Sequence, residues 1–277
     1  MEKHSLALSA TEARRPWGVI IAIGIVGGLL SGLFAIGGGI VMVPLLTTFA
    51  RQNQRVAAAT SLAAIVPTSI AGSITYLIAG EVDLVAAALV SAGAVIGAIV
   101  GSALLKRIPL TWLRWMFIAF ILLVAARLFF ITPQRGHAVE FTPAIGAGYI
   151  VLGLAMGVLS ALFGIGGGII AVPALINVFG AGDLIAKGTS LVVMIPTSIV
   201  GTISNWRAKT VDVPTGLALG AAATVASIPG AAFALALPPQ LSSTLFGVLL
   251  LAVAGQLTWK AIQAQRAIKQ APASSSR

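Results

Sequence analysis

With 277 residues, 58% hydrophobic and only 9% charged, the chain is not a soluble globular domain, where charged residues make up about 25%. Its mean hydropathy of +1.04 and its long apolar runs mark a polytopic membrane protein. The absence of cysteine excludes disulfides, thiolate metal sites and cysteine catalysis, and the net charge of +10 belongs to the loops between apolar runs rather than to a nucleic-acid surface.

Region 1–16 is polar and holds Lys3, Arg14 and Arg15. The apolar run that follows could be taken for a signal peptide. It continues to Phe49 without a small-residue cleavage site, however, and its second half is duplicated later in the chain, so it reads as a retained first membrane segment. Arg14 and Arg15 lack the rest of a twin-arginine signal. The run 17–49 is 33 residues long. One span needs about 20 residues and two need about 40. The triplet Gly37, Gly38 and Gly39 therefore predicts a break between a helix and a short returning limb. Segment 56–79 follows the polar stretch 51–55 and is closed by Glu81 and Asp83, segment 84–105 ends at Lys106 and Arg107, and segment 110–131 is the fourth. The linker 132–142 carries Pro133, Arg135, His137 and Glu140. The second half follows the same plan. Region 143–179 contains the triplet Gly166, Gly167 and Gly168, 180–187 is a polar break, and 188–206, 213–237 and 241–259 are apolar. The tail from Lys260 is basic and ends in a serine-rich stub.

The two halves are homologous. SGLFAIGGGIVMVPLL (31–46) and SALFGIGGGIIAVPAL (160–175) lie 129 positions apart and share 11 of 16 residues without a gap. ATSLAAIVPTSIAGSI (59–74) and GTSLVVMIPTSIVGTI (188–203) share 9 of 16 at the same offset. Asp83 falls on Asp212, Gly101 on Gly230 and Pro109 on Pro238. The expected architecture is an all-α polytopic membrane protein forming one transport domain over 1–277. Repeat one covers about 17–131 and repeat two about 143–260, each with a glycine-broken unit and three spanning helices, giving 8–10 membrane segments.

Cytoplasmic loops of membrane proteins are enriched in Lys and Arg. If each glycine-broken unit returns to the side it entered, and both termini are cytoplasmic, the inner side holds 14 of the 17 Lys and Arg residues. The outer side keeps Arg127, Arg135 and Lys187 and takes four of the seven acids: Glu81, Asp83, Glu140 and Asp183. Three spans per half is an odd number, so the halves are expected to be inverted, a plan used by many secondary transporters.

Mid-helix glycine costs roughly 1 kcal/mol relative to alanine. Two symmetric triplets, each followed by Val-Pro (Pro44 and Pro173), point to bare backbone that lines a site, because irregular backbone survives in a bilayer only where protein covers it or a cavity adjoins it. A helix that starts there aims free N–H groups at one point and attracts anions. The competing explanation is close helix packing through small residues. The second duplicated set is Thr60, Ser61, Pro67, Thr68 and Ser69 with Thr189, Ser190, Pro196, Thr197 and Ser198. Proline frees a carbonyl and hydroxyls donate, although each hydroxyl can instead bond back to its own helix. Tyr76 and Asn205 occupy equivalent positions and are candidate polar wall residues. Asp83 and Asp212 resemble coupling carboxylates but precede apolar segments, where Asp is an ordinary N-cap. Lys187 and Arg127 lie near segment ends, where long side chains snorkel. No Asp, Glu or His lies deep in an apolar segment, so no metal, no cofactor and no hydrolase activity is expected. Backbone and hydroxyl donors amid excess positive charge suit a small oxyanion.

The paired AIGGG and GIGGG segments, each continuing to Val-Pro and followed by T-S-L and P-T-S, resemble the TauE/SafE family of sulfite-exporter-like membrane proteins over about 18–259. The resemblance implies export or permeation of small sulfur-containing anions, such as sulfite and sulfoacetate, across the bacterial inner membrane. It implies that Gly37 to Gly39, Pro44, Thr60, Ser61, Pro67 to Ser69 and their second-half partners are the motif residues. The expected partners are a small anion and membrane lipids, with no nucleic acid, and homodimer formation is left open. Transport of another small anion such as a carboxylate, and a non-transporting assembly or scaffold role, are the alternatives.

Overall fold

The structure is a computed structural model that describes residues 16–104, 142–163 and 165–270 and scattered positions between 112 and 126. Among the described residues the helices run in the order α1 (Trp17–Phe34), α2 (Gly39–Phe49), α3 (Gln54–Ile78), α4 (Leu84–Leu104), α5 (Pro143–Phe163), α6 (Gly168–Asn177), α7 (Asp183–Arg207), α8 (Val213–Ala236) and α9 (Pro239–Gln270), with no strand. Seven of them are long and apolar enough to cross a membrane, and α2 and α6 are the short exceptions. The expected fourth segment lies largely outside the described residues, and linker positions 132–141 lie wholly outside them.

Local signals place the helix starts. Asn53 Oδ1 accepts the Val56 N–H at 2.9 Å to open α3, and Asp83 Oδ1 accepts the Ala86 N–H at 2.9 Å to open α4. Asp212 caps α8, accepting from the Thr215 hydroxyl at 2.7 Å. Both aspartates are therefore caps, as their position before an apolar run implied.

The halves interlock. Helix α8 packs on α1 and α3, and α4 packs on α5 and α7, so each lies against the opposite half. The α1–α8 and α4–α5 pairs run parallel at close backbone distance. A Cβ on Gly28 would sit 2.2 Å from the Ala223 carbonyl oxygen, and one on the equivalent Gly157 would sit 2.1 Å from that of Ala94. Lipid is as apolar as leucine, so such packing, rather than exclusion from water, holds spanning helices together.

Helix α3 crosses α7 antiparallel. A Cβ on Gly72 would lie 3.1 Å from Leu191 Cδ1, and one on Gly201 would lie 3.2 Å from Leu62 Cδ1. These are the same contact seen from either half, and its midpoint falls at Pro67 and Pro196. The crossing is therefore centred between the two prolines.

Candidate functional site

Helix α1 stops where Ala35 turns left-handed, with φ 55° and its N–H donating to Ser31 O at 2.8 Å. Gly37 and Gly38 follow at φ 74° and 68°. An L side chain in that region costs roughly 1–2 kcal/mol, which is why this turn is built from glycine. The chain then reverses. Met42 packs on Gly27, and Met42 and Leu46 share a core with Ile20 and Ile23, so α2 runs back along α1. Gly166 and Gly167, at φ 78° and 89°, make the equivalent reversal between α5 and α6. After α2, Gln52 Nε2 donates to Asp212 Oδ2 at 3.1 Å, so the loop leaving this hairpin lies at the start of α8. Because α8 runs parallel to α1, the hairpin returns to the side on which it began.

The two glycine turns abut. A Cβ on Gly168 would lie 2.3 Å from Ala35 O. Gly37 and Gly166 both turn their bare faces to Met194 of α7 and Ile65 of α3, a repeat-equivalent pair two residues before the central prolines. The junction therefore sits at mid-height of α3 and α7. Ile36, Ile40, Ile165 and Ile169 close one flank together with Ile121 and Leu250. Residues 34–40 and 165–169 are all buried. The hydrogen-bond ladder of α2 begins with Val41 and Met42 donating to Gly38 O, and that of α6 with Ile170 and Ala171 donating to Gly167 O. The N–H groups just ahead of these points are the positive ends of two short helices. Gly38 and Gly167 face elsewhere. Their Cβ positions meet Gly27 O at 2.6 Å and Met156 at 2.7 Å, inside their own hairpins.

The duplicated hydroxyls separate into groups. Ser190 donates to Ala35 O at 3.2 Å, and the Thr197 hydroxyl, 3.1 Å from Val193 O and Met194 O of its own helix, lies 3.5 Å from Gly166 O, so both adjoin the junction. Thr68 donates to Ala64 O at 2.7 Å, while Ser61, Ser69 and Ser198 also bond to their own helices. Thr60 and Thr189 stand apart. Their hydroxyls accept the N–H of Asp212 at 3.1 Å and of Asp83 at 2.9 Å, and they clasp the opposite half's loop. Tyr76 donates to Gly32 O at 2.9 Å, and Asn205 donates to Gly201 O in its own helix.

Two features were missed by the sequence reading. Ser31 is fully buried, and its hydroxyl has no partner among the described residues. It is one turn beyond Gly27 on α1, and with Ser160 it forms the first position of the 16-residue duplication, which was the available signal. The second feature is a correction. The stretch 180–187 is not a polar break throughout, because α7 begins at Asp183. Lys187 does not snorkel. It is buried against Asp183, itself buried, with Nζ to Oδ2 at 2.8 Å, so a buried acid opens the helix.

The family model described as sulfite exporter TauE/SafE matches residues 3–128 and 149–276. The chain belongs to the TauE/SafE family. Like this chain, the probable membrane transporter protein YunE of Bacillus subtilis (strain 168) is a relative, 26% identical over 238 residues that cover 78% of this chain and 84% of YunE. The probable membrane transporter protein YdhB of the same organism is 27% identical over 188 residues, 67% of this chain and 77% of YdhB. No solved structure matches the chain. As a TauE/SafE member with seven apolar helices among the described residues long enough to cross a bilayer, it is a multi-pass membrane transporter protein.

Proposed function

We propose that this TauE/SafE protein is a secondary transporter of small sulfur-containing anions, sulfite or organosulfonates such as sulfoacetate, across the bacterial inner membrane. The meeting of two helix N-termini at one buried point at the α3–α7 crossing carries this reading. Two positive helix ends converge there, and two hydroxyls, Ser190 and Thr197, adjoin them. Hydrogen bonds to a charged group contribute roughly 1.5–3 kcal/mol each, so a few such donors hold an oxyanion without a buried arginine. Gly37 and Gly166 leave the backbone bare on the side facing the crossing, and Ser31 adds a hydroxyl in the first hairpin. The anion-specific part of the proposal draws on the family's described sulfite export.

Three observations support halves inverted in the membrane with both termini cytoplasmic. Equivalent helices α3 and α7 run antiparallel, the first glycine-broken hairpin returns to its own side, and 14 of 17 basic residues then fall inside. Inverted halves let one site face either side in turn.

The test is anion uptake into liposomes containing the purified full chain. Sulfite or sulfoacetate should accumulate above the level of empty liposomes. Thr197→Val should raise KM about tenfold if it removes roughly 1.4 kcal/mol of anion binding. Accumulation of acetate alone would replace the sulfur anion with a carboxylate. No uptake of any of the three would leave the assembly or scaffold role.

A further inference from the structure

We propose that Lys187 is a second binding post for the transported anion, with Asp183 as its resident counter-ion. The inference rests on the anion-transport reading above and adds a residue outside the glycine and hydroxyl motifs.

The pair is buried, with Lys187 at 2% and Asp183 at 3% relative exposure. Lys187 Nζ donates to Asp183 Oδ2 at 2.8 Å and to Ser242 Oγ of α9 at 2.6 Å. Among the described residues Lys187 is the only buried Lys or Arg. Removing two charges from water is costly, and well-packed apolar residues of similar volume often serve a fold as well or better. This fold shows that it can do without the pair. In the first half the equivalent positions of α3 are Gln54 and Ala58, yet α3 follows the same course and makes the same crossing. A charge pair present in one half alone is better explained by ligand chemistry than by architecture.

Its place agrees. A void of about 10 Å³, bounded by Val172 and Ile176 of α6 and Ser242 and Phe246 of α9, adjoins the pair. Gly168, Val172 and Ile176 recur every four residues on α6, so the void lies on one stripe of that helix that begins at the second glycine turn. On α7, Lys187, Ser190, Met194 and Thr197 are spaced three, four and three residues apart and share a face. Ser190, Met194 and Thr197 already touch the glycine turns. Lys187 thus extends the stripe toward the Asp83 end of the bundle, about 10 Å from Met194 at 1.5 Å rise per residue.

The exchange is balanced. Bound at rest, Asp183 neutralises the ammonium. An arriving oxyanion takes the donor now given to Ser242 Oγ while the Asp183 contact stays, so a charge-assisted hydrogen bond replaces a neutral one and no buried charge is stranded. The anion is held without being trapped.

The experiment uses the full chain in liposomes for sulfite uptake, and in detergent for thermal unfolding with and without sulfite. The variants are Lys187→Met, Asp183→Asn, the two combined, and Arg207→Gln as an exposed control. Lys187→Met alone should unfold at lower temperature, because it leaves Asp183 buried without its cation. The combined variant strands no charge and should recover stability. It should nevertheless show KM for sulfite raised tenfold or more and lose the sulfite-induced stabilisation. Asp183→Asn alone removes the neighbouring negative charge and should lower KM several-fold. Arg207→Gln should match wild type. Wild-type KM and full sulfite stabilisation in the combined variant, or an unchanged KM in Asp183→Asn, would overturn the assignment and leave the transport reading intact. A wild-type protein that moves neither sulfite nor sulfoacetate would remove both.

Discussion

Adjacent glycines of one triplet should respond oppositely to change at Met194. A Cβ on Gly37 would lie 2.0 Å from the Met194 methyl, the far end of a flexible side chain, and its next neighbour is Ile65 at 3.4 Å. A Cβ on Gly38 would lie 2.6 Å from the Gly27 carbonyl, which is backbone and cannot swing away. Both positions are left-handed, so alanine at either carries a conformational cost of roughly 1–2 kcal/mol. The clash differs. Truncating Met194 removes it at Gly37 and does nothing for Gly38. In a double-mutant cycle, Gly37→Ala with Met194→Ala should therefore be more stable than the sum of its single changes by at least about 1 kcal/mol, within the range for residues in contact. Gly38→Ala with Met194→Ala should be additive within about 0.5 kcal/mol. Thermal unfolding of the purified variants in one detergent, at one scan rate, reads both cycles. Additivity at Gly37, or equal coupling at both glycines, would refute the orientation of the turn and with it the bare backbone at the crossing.

Thr60→Val and Thr189→Val each take the acceptor from a partly buried loop N–H, and each should lower stability by about 1 kcal/mol while leaving KM near wild type. Loss of anion affinity without loss of stability would instead return these residues to the binding site. Ala79 and Ala208 are exposed, repeat-equivalent helix C-caps, and the chain has no cysteine of its own. Single cysteines placed at them should react with a membrane-impermeant thiol reagent from opposite sides. Labelling from one side would end the inverted reading. Ser31→Ala removes a buried hydroxyl that has no partner among the described residues, so stability should hold or rise slightly while sulfite KM increases. A fall in stability with unchanged KM would show a packing role.

The repeat was legible because identity at a fixed offset makes equal geometry the simplest outcome, and it located the chain reversals at both glycine triplets. The caps at Asp83 and Asp212 were legible for a local reason, since a cap needs only its neighbours three residues on. The facing of individual glycines was not. Gly37 and Gly38 look alike as letters, and only tertiary contacts turn one to the crossing and the other into its hairpin. The burial of Lys187 was hidden by position. A charged residue at the edge of an apolar run reads as solvated, and the cover supplied by α9 comes from 55 residues away. Helix pairing was hidden because lipid-facing and protein-facing surfaces are equally apolar, so hydrophobic periodicity carries little information. The spacing of Gly24, Gly28 and Gly32, repeated in part by Gly153 and Gly157, was the signal that marked those faces.

The exchange of α4 and α8 between halves has a consequence for how the protein is made. Helix α1 enters the bilayer before α8, yet the surface that fits its glycine face is on α8, whose first residue is synthesised 196 positions later than Trp17. Until then that face rests against lipid or a helper protein. The first half cannot close around itself when it leaves the ribosome, because its own α4 belongs against α5 and α7. Assembly must wait for the second half and then proceed as mutual insertion, much as two subunits of an exchanged dimer would join. Separately expressed halves should therefore be unstable alone and recover together, and an interruption in the linker between them should be tolerated better than the loss of either last-arriving helix.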